Sequence, residues 1–353
     1  QIASGVGFGL VALSLQLPHF FACSIALLAV IAFSGATHDI ATDGVYMTEL
    51  SKSDQAKYIG WQGAFYNIAK IVASGGLVYL AGWLVKRFGG VEGASGEVVY
   101  EANVHAWMIV MFVMAIVMIS LGLYHTRMLP SGGAATSEAT SFKETFDKLV
   151  EVILDFFKKK HIWYYIAFII LYRFAEGFVM KIVPLFLKAG REIGGLGLSE
   201  QEIGIYYGTY GAAAFVLGSL LAGYYISHRG LKKTLFSLCC TFNLPFIAYT
   251  LLAIYQPTSG MLIGGAIVLE YFGYGFGFVG LTLFMMQQVA PGKHQMAHYA
   301  FASGIMNLGV MLPGMVSGFV SDWLGYRDFF IFILFATIPA FLITYFVPFT
   351  YPD

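Results

Sequence analysis

Charge is scarce in this chain: Asp, Glu, Lys and Arg together make up 11% of its 353 residues. An ordinary soluble chain carries about 25%, and so small a supply cannot cover a water-facing surface. An excess of one sign is missing too, because 20 basic residues balance 20 acidic ones, so nothing favours a nucleic-acid partner. Cysteine is nearly absent. Cys23, Cys239 and Cys240 all lie in apolar runs, which argues against a disulfide framework or a thiolate metal site and leaves them as small apolar fillers. The chain also lacks an initiating Met and a cleavable signal pattern. It opens Gln1-Ile2-Ala3 inside an apolar run and reads as a truncated start. There is no nucleophile–base set, no His-rich metal motif and no Walker loop, so the chain is not read as an enzyme and calls for no cofactor.

What the sequence has in abundance is apolar length. Hydrophobic residues make up 58% of it, and the mean hydropathy is +0.73. A bilayer core asks for about 20 apolar residues per helix. Ten stretches qualify, at about 1–16, 20–48, 56–86, 104–126, 161–188, 201–227, 232–255, 260–290, 297–322 and 328–349. These runs are too long and too uniform for barrel strands, so the fold class is an all-α membrane protein. Short links such as Leu17-Pro18-His19 and Tyr255-Gln256-Pro257-Thr258 force antiparallel neighbours. Basic residues sort by loop. Lys52, Lys57, Arg127, Lys143, Lys148, Lys158, Lys159, Lys160, Arg229, Lys232, Lys233 and Lys293 fall on one side, and Lys86, Arg87, Lys188, Arg191 and Arg327 on the other. The richer side is cytoplasmic by the positive-inside rule, which makes this a multi-pass protein of the inner membrane with both ends inside.

The longest polar link, 127–160, separates a bundle at 1–126 from one at 161–353. It begins with a flexible stretch, Pro130-Ser131-Gly132-Gly133-Ala134-Ala135. Phe142, Phe146, Leu149, Ile153, Phe156 and Phe157 then recur at helical spacing opposite Lys and Glu, with Ser141 and Glu144 as a capping box. This reads as an amphipathic helix on the inner leaflet, the alternative being an extension of the next span. Four helices, a link and six helices correspond to a two-halved, twelve-helix transporter without its first two helices. An internal match supports a duplicated half: Asn67…Trp83-Leu84 recurs at one constant offset as Asn307…Trp323-Leu324.

Ionisable groups at membrane depth are costly and mark function by default. Arg173, Glu176 and Lys181 share one arc of the fifth helix, ahead of Pro184. Glu176 can neutralise Arg173 at i,i+3, and Lys181 remains as a third charge. Lys70 stands alone in mid-helix with Gln62, Tyr66 and Asn67 above it. Glu270 stands alone before Gly273, Gly275, Gly277 and Gly280, a run that permits close packing or local unwinding. Whether Lys70 pairs with Glu270 or with Asp39 stays open. Arg173, Glu176, Lys70 and Glu270 are expected to face a common space between the halves. Asp39 and Asp43 are i,i+4, and two close carboxylates can raise one pKa toward neutrality, which is the chemistry of a proton-coupled carrier; ordinary end charges at the interface are the alternative. His294 and His298 have the i,i+4 spacing of a metal pair but no third ligand nearby in sequence, so they are read as interfacial and no metal is expected.

The stretch Thr37-His38-Asp39-Ile40-Ala41-Thr42-Asp43-Gly44 resembles the fourth-helix motif of the AmpG-type muropeptide permeases and the related acetyl-CoA transporters, both of the major facilitator superfamily. Ser74-Gly75-Gly76-Leu77 follows at a similar distance to that family's Ser-Gly-Gly-Leu. The loop from Gly223 to Lys233 is similar to the superfamily's Gly-x-x-x-Asp-Arg-x-Gly-Arg-Arg loop, but Ser227 stands where Asp is usual and His228 where Arg is usual, which bears on the charge relay of that loop. The resemblance covers the whole chain as architecture, helices three to twelve, and about 40 residues as specific motif. It implies proton-driven import of anhydromuropeptides by alternating access, with no cofactor beyond the proton gradient. Asp39, Asp43, Glu176 and Glu270 would serve coupling. Lys70, Arg173, Lys181, Asn67, Tyr66, Gln62 and Asn307 would serve the substrate, the three cations as carboxylate partners. The implied partners are a small sugar-peptide solute, protons and the bilayer, and the protein would be a monomer.

Three other readings compete. The same scaffold could carry another oligosaccharide, acetyl-CoA or a siderophore. A channel is disfavoured by scattered rather than ringed charges and by the lack of a filter-like repeat, and a membrane enzyme by the missing catalytic sets. The carrier reading makes a direct prediction. Asp39→Asn should abolish uptake driven by a pH gradient yet preserve substrate exchange, and Asp43→Asn should be milder if Asp43 is the better solvated of the two. Gradient-driven accumulation left intact in Asp39→Asn would pass the role to Glu176 or Glu270.

Overall fold

A computed structural model describes residues 1–91, 93–130 and 142–352. Among them no strand occurs, and a helix stands at each of the ten expected spans. They are α1 (Ile2–Ser14), α2 (Phe20–Glu49), α3 (Lys52–Ile71) continuing into α4 (Val78–Arg87), α5 (Gly96–Met128), α6 (Phe142–Phe157), α7 (Ile162–Tyr172), α8 (Phe174–Lys188), α9 (Glu200–Ile203), α10 (Gly211–Arg229), α11 (Leu231–Asn243), α12 (Phe246–Tyr255), α13 (Gly260–Phe284), α14 (Gln295–Ala336) and α15 (Ile338–Tyr345). By length and hydropathy alone, six of the described helical runs suffice to cross a membrane. The run from Gln295 to Tyr345, at 51 residues, holds two of the expected spans, divided at Gly325. There φ is +75°, a backbone setting that glycine adopts without strain.

The chain divides into two compact units, residues 1–46 with 68–137 and residues 47–67 with 138–353. In the first unit α5 packs against α1 and α4. Gly5 lies close against Ala115 and Ile119, and Gly122 against Ile2, the small-residue contacts that let helices approach in lipid. Between α3 and α4 the backbone takes a π turn, Val72–Leu77, over the Ser74–Leu77 motif. The side chains of Lys70, Ser74 and Gly75 lie outside the described residues.

In the second unit α13 packs on α10 and α11, and α14 lies along α8. The core is aromatic, with Phe178, Phe186, Phe246, Tyr249, Phe329 and Phe330 all buried. The expected single span at 161–188 is interrupted. Arg173 takes φ −106° and ψ 8° between α7 and α8, so its side chain leaves the helical register of its neighbours. The glycines of α13 resolve the choice between packing and unwinding: α13 is continuous helix, and they are contacts. Gly277 lies against Phe242 and Leu238 of α11, and Gly275 against the Phe215 carbonyl of α10.

The amphipathic pattern ahead of the fifth expected span does form a helix, α6, at Phe142–Phe157; Ser141 lies outside the described residues, so its capping box does too. Phe156 is buried, its ring tilted against His298 at 5.6 Å and edge-on to Phe301 at 5.5 Å, whereas Phe146, Leu149, Ile153 and Phe157 stay exposed. Just beyond α6, Lys159 donates to the carbonyls of Val289 (2.6 Å), Ala290 (3.0 Å) and Pro291 (2.7 Å). It caps the helical run that ends at Val289, where a cation is favoured. Burial pulls this ammonium down to about 8, and the three carbonyls oppose that loss of charge. Farther along, Gln288 accepts from the Thr350 and Tyr351 amides at 2.8 and 3.0 Å and donates to the Tyr351 carbonyl at 2.9 Å, holding the chain after α15.

Two glycines of α13 provide a test with its own control. A Cβ at position 275 would press into the Phe215 carbonyl, whereas a Cβ at position 265 meets nothing within 4 Å. Gly275→Ala should lower stability by about 1–3 kcal/mol through overpacking. Gly265→Ala should be neutral or raise it by up to about 1 kcal/mol through helix propensity. Thermal unfolding in detergent separates them, and equal midpoints would refute the close packing of α13 on α10.

Candidate functional site

Among its described residues the second unit buries three charged side chains at span depth: Arg173, Glu176 and Glu270 are 5%, 2% and 8% exposed. The break at Arg173 and the first turn of α8 bring the first two together. Arg173 Nε donates to Glu176 Oε2 at 2.5 Å and its Nη2 to Oε1 at 2.8 Å, a bidentate pair of the strongest kind. The guanidinium also lies 5.1 Å from the ring centre of Phe278 on α13. Next to this ion pair, the Tyr172 hydroxyl donates to the Gly277 carbonyl at 2.8 Å, tying the break to α13.

Glu270 sits elsewhere on α13 and has a different partner. The Tyr249 hydroxyl donates to its Oε2 at 3.1 Å. Tyr271 packs edge-on against Tyr207 at 4.9 Å, and Tyr274 against Phe215 at 5.0 Å. Tyr274 is i,i+4 from Glu270 and so shares its face. Its ring packs edge-on to Phe278 at 5.9 Å, the ring over which the Arg173 guanidinium lies. Tyr274 therefore stands between Glu270 and Phe278 on one face of α13. The tyrosines were missed from sequence because 22 of them are scattered through the chain; the i,i+4 relation of Tyr274 to the lone Glu270 was the usable signal.

Other expected site residues fall differently. Tyr66 is 71% exposed. Asn67 is half-buried and donates within its own helix to the Gly63 carbonyl at 2.9 Å. Gln62 is half-buried, and Asn307 on α14 is exposed. Lys181 is also exposed, its stem running past Gly314. On α2, Asp39 is exposed and Asp43 buried. An apolar groove lined by Tyr210, Ala214, Leu217, Val268, Leu269 and Phe272 holds none of the expected site residues.

Long apolar helices and a buried ion pair define a polytopic helical membrane protein. The chain belongs to the Major Facilitator Superfamily, whose model matches residues 2–291 and 193–353. It is 23% identical over 319 residues to the anhydromuropeptide permease of Escherichia coli K12, covering 90% of this chain and 58% of that protein. It is 24% identical over 217 residues to the putative transporter AmpG 2 of Rickettsia typhi, covering 58% of this chain and 48% of that one. The chain thus spans less than two thirds of the length of either relative. The crystal structure of the Escherichia coli fucose:proton symporter shares the fold, with a TM-score of 0.65 at 14% identity, over 98% of this chain and 82% of that one.

The ion pair yields a test that separates structure from function. Removing one partner of a buried pair strands the other and costs about 3–5 kcal/mol, whereas replacing both is often nearly neutral. Arg173→Met and Glu176→Gln should each destabilise the protein strongly, and the double substitution should recover most of the lost stability. Solute uptake should stay lost in the double variant. Uptake that returned together with stability would make the pair purely structural.

Proposed function

We propose that the protein is a proton-coupled secondary carrier of the inner membrane, importing anhydromuropeptides or related amino-sugar conjugates by alternating access. The observation that carries the reading is the buried Arg173, Glu176 and Glu270, with half-buried Tyr274 on the same face of α13 as Glu270, in a chain that matches an anhydromuropeptide permease over 90% of its length. An acidic, sugar-bearing solute needs cations and ring-stacking surfaces, and Arg173 with the tyrosines of α13 supplies both chemistries. Lys70 and Lys181 are further carboxylate partners in this reading, with Gln62, Tyr66, Asn67 and Asn307 as polar contacts.

Coupling requires a carboxyl whose charge changes without dismantling the site. Glu176 is committed to Arg173 through two hydrogen bonds. Glu270 takes a neutral hydroxyl donor from Tyr249, so it can gain or lose a proton with no ion pair to break. Asp39 and Asp43 on α2 are separate coupling candidates in this reading, and the burial of Asp43 makes it the closer analogue of Glu270.

The test is uptake of labelled anhydromuropeptide in cells carrying the protein. Glu270→Gln mimics the permanently protonated carboxyl and should abolish gradient-driven accumulation while leaving exchange of labelled for unlabelled solute intact. Asp43→Asn should be at least as severe as Asp39→Asn. Normal accumulation in Glu270→Gln would remove Glu270 from the relay. Failure of the unsubstituted protein to take up the solute, with uptake of an oligosaccharide, acetyl-CoA or a siderophore instead, would replace the substrate and keep the carrier.

A further inference from the structure

The i,i+4 pair His294 and His298 lacks a third ligand in its own stretch of sequence, and the fold brings two to it. Glu151 and Asp155, themselves i,i+4 on α6, face the start of α14. His294 Nε2 lies 3.5 Å from Asp155 Oδ2 and 3.7 Å from Glu151 Oε1. One ligand atom from each of the three residues falls within a set no more than 4.8 Å across. His294 Nε2 is shut off from solvent and has no hydrogen-bond partner. As a lone pair, this nitrogen faces two carboxylates across a gap that a cation can fill.

The spacing points to what that is. Both separations are too long for hydrogen bonds, which cluster near 2.9 Å. Metal–ligand bonds of about 2.0–2.2 Å in a tetrahedral site place neighbouring ligand atoms about 3.3–3.6 Å apart, close to the spacing observed. We infer that Glu151, Asp155 and His294 form a binding site for a divalent transition ion of the Zn²⁺ class, joining α6 to the loop before α14. Imidazole selects such ions over Mg²⁺ and Ca²⁺, which prefer oxygen.

The surroundings suit that role. His298, 2% exposed, donates from Nε2 to the Val152 carbonyl at 3.1 Å, which leaves its buried Nδ1 as an unpartnered lone pair. A ring so oriented by a backbone carbonyl has the arrangement typical of metal-binding histidines, and it stands beside the His294 ring at 5.8 Å between centres. Lys293 donates to Glu151 Oε1 at 2.7 Å but is 72% exposed, so it yields to a divalent ion at little cost. Phe156 and Lys159 already hold this end of α6 in place, so the ligands are organised before any ion arrives.

Binding of Zn²⁺ to the purified protein in detergent, by titration calorimetry at neutral pH, tests the inference. One site is expected, with Mg²⁺ failing to compete. His294→Ala should weaken Zn²⁺ by more than about 100-fold, beyond the 10–100-fold that loss of a supporting hydrogen bond costs. Asp155→Asn should also weaken it, and both variants should keep the unfolding midpoint of the metal-free protein. Zn²⁺ should protect α6 from proteolysis in the unsubstituted protein and not in His294→Ala. Absence of binding, or binding unchanged in both variants, overturns the site. So does protection of α6 that follows falling pH and ignores Zn²⁺, since the positive species would then be the proton of His294.

Discussion

A guanidinium and a carboxylate share a medium that cannot solvate either, and much of the second unit is arranged around that fact. An unpaired charge at membrane depth costs at least about 2.5 kcal/mol on insertion scales, so Arg173 and Glu176 hold each other in a bidentate grip. The grip depends on the helix break at Arg173. With Arg173 outside the helical register, its side chain turns to meet Glu176 in the first turn of α8, where a carboxylate is also favoured by the helix dipole. Tyr172, one residue earlier, anchors the same break to α13.

α13 supports the second buried carboxyl, Glu270. Its glycines let α10 and α11 approach within backbone contact, and that proximity encloses Glu270, Tyr271 and Tyr274 in aromatic surroundings. Space saved by glycine on two faces is filled by tyrosine and phenylalanine between them. Glu270 is thereby kept in a setting where its one described hydrogen bond comes from a neutral hydroxyl. Two buried carboxyls thus coexist in one unit, one bound to a cation and the other, among the described residues, to a neutral hydroxyl.

Much of this was legible in the sequence. Low charge and long apolar runs specify the helical membrane class, and the Phe142 to Phe157 periodicity specifies α6. The Arg173–Glu176 pairing followed from i,i+3 spacing alone. Other features could not be read, for identifiable reasons. The interruption at Arg173 carries no glycine or proline, so local propensity does not announce it. The partner of Glu270, Tyr249, lies 21 residues earlier on another helix, and helix-to-helix register is a property of packing. The meeting of Glu151 and Asp155 with His294 likewise spans most of the second unit's sequence.

The central claim is that solute entry and proton entry are one process. The most direct measurement is the internal pH of proteoliposomes holding the protein and a pH-sensitive dye, after anhydromuropeptide is added outside. The account predicts acidification of the lumen that requires the solute, saturates with it and disappears in Glu270→Gln. Solute entry with no accompanying change in internal pH would contradict it.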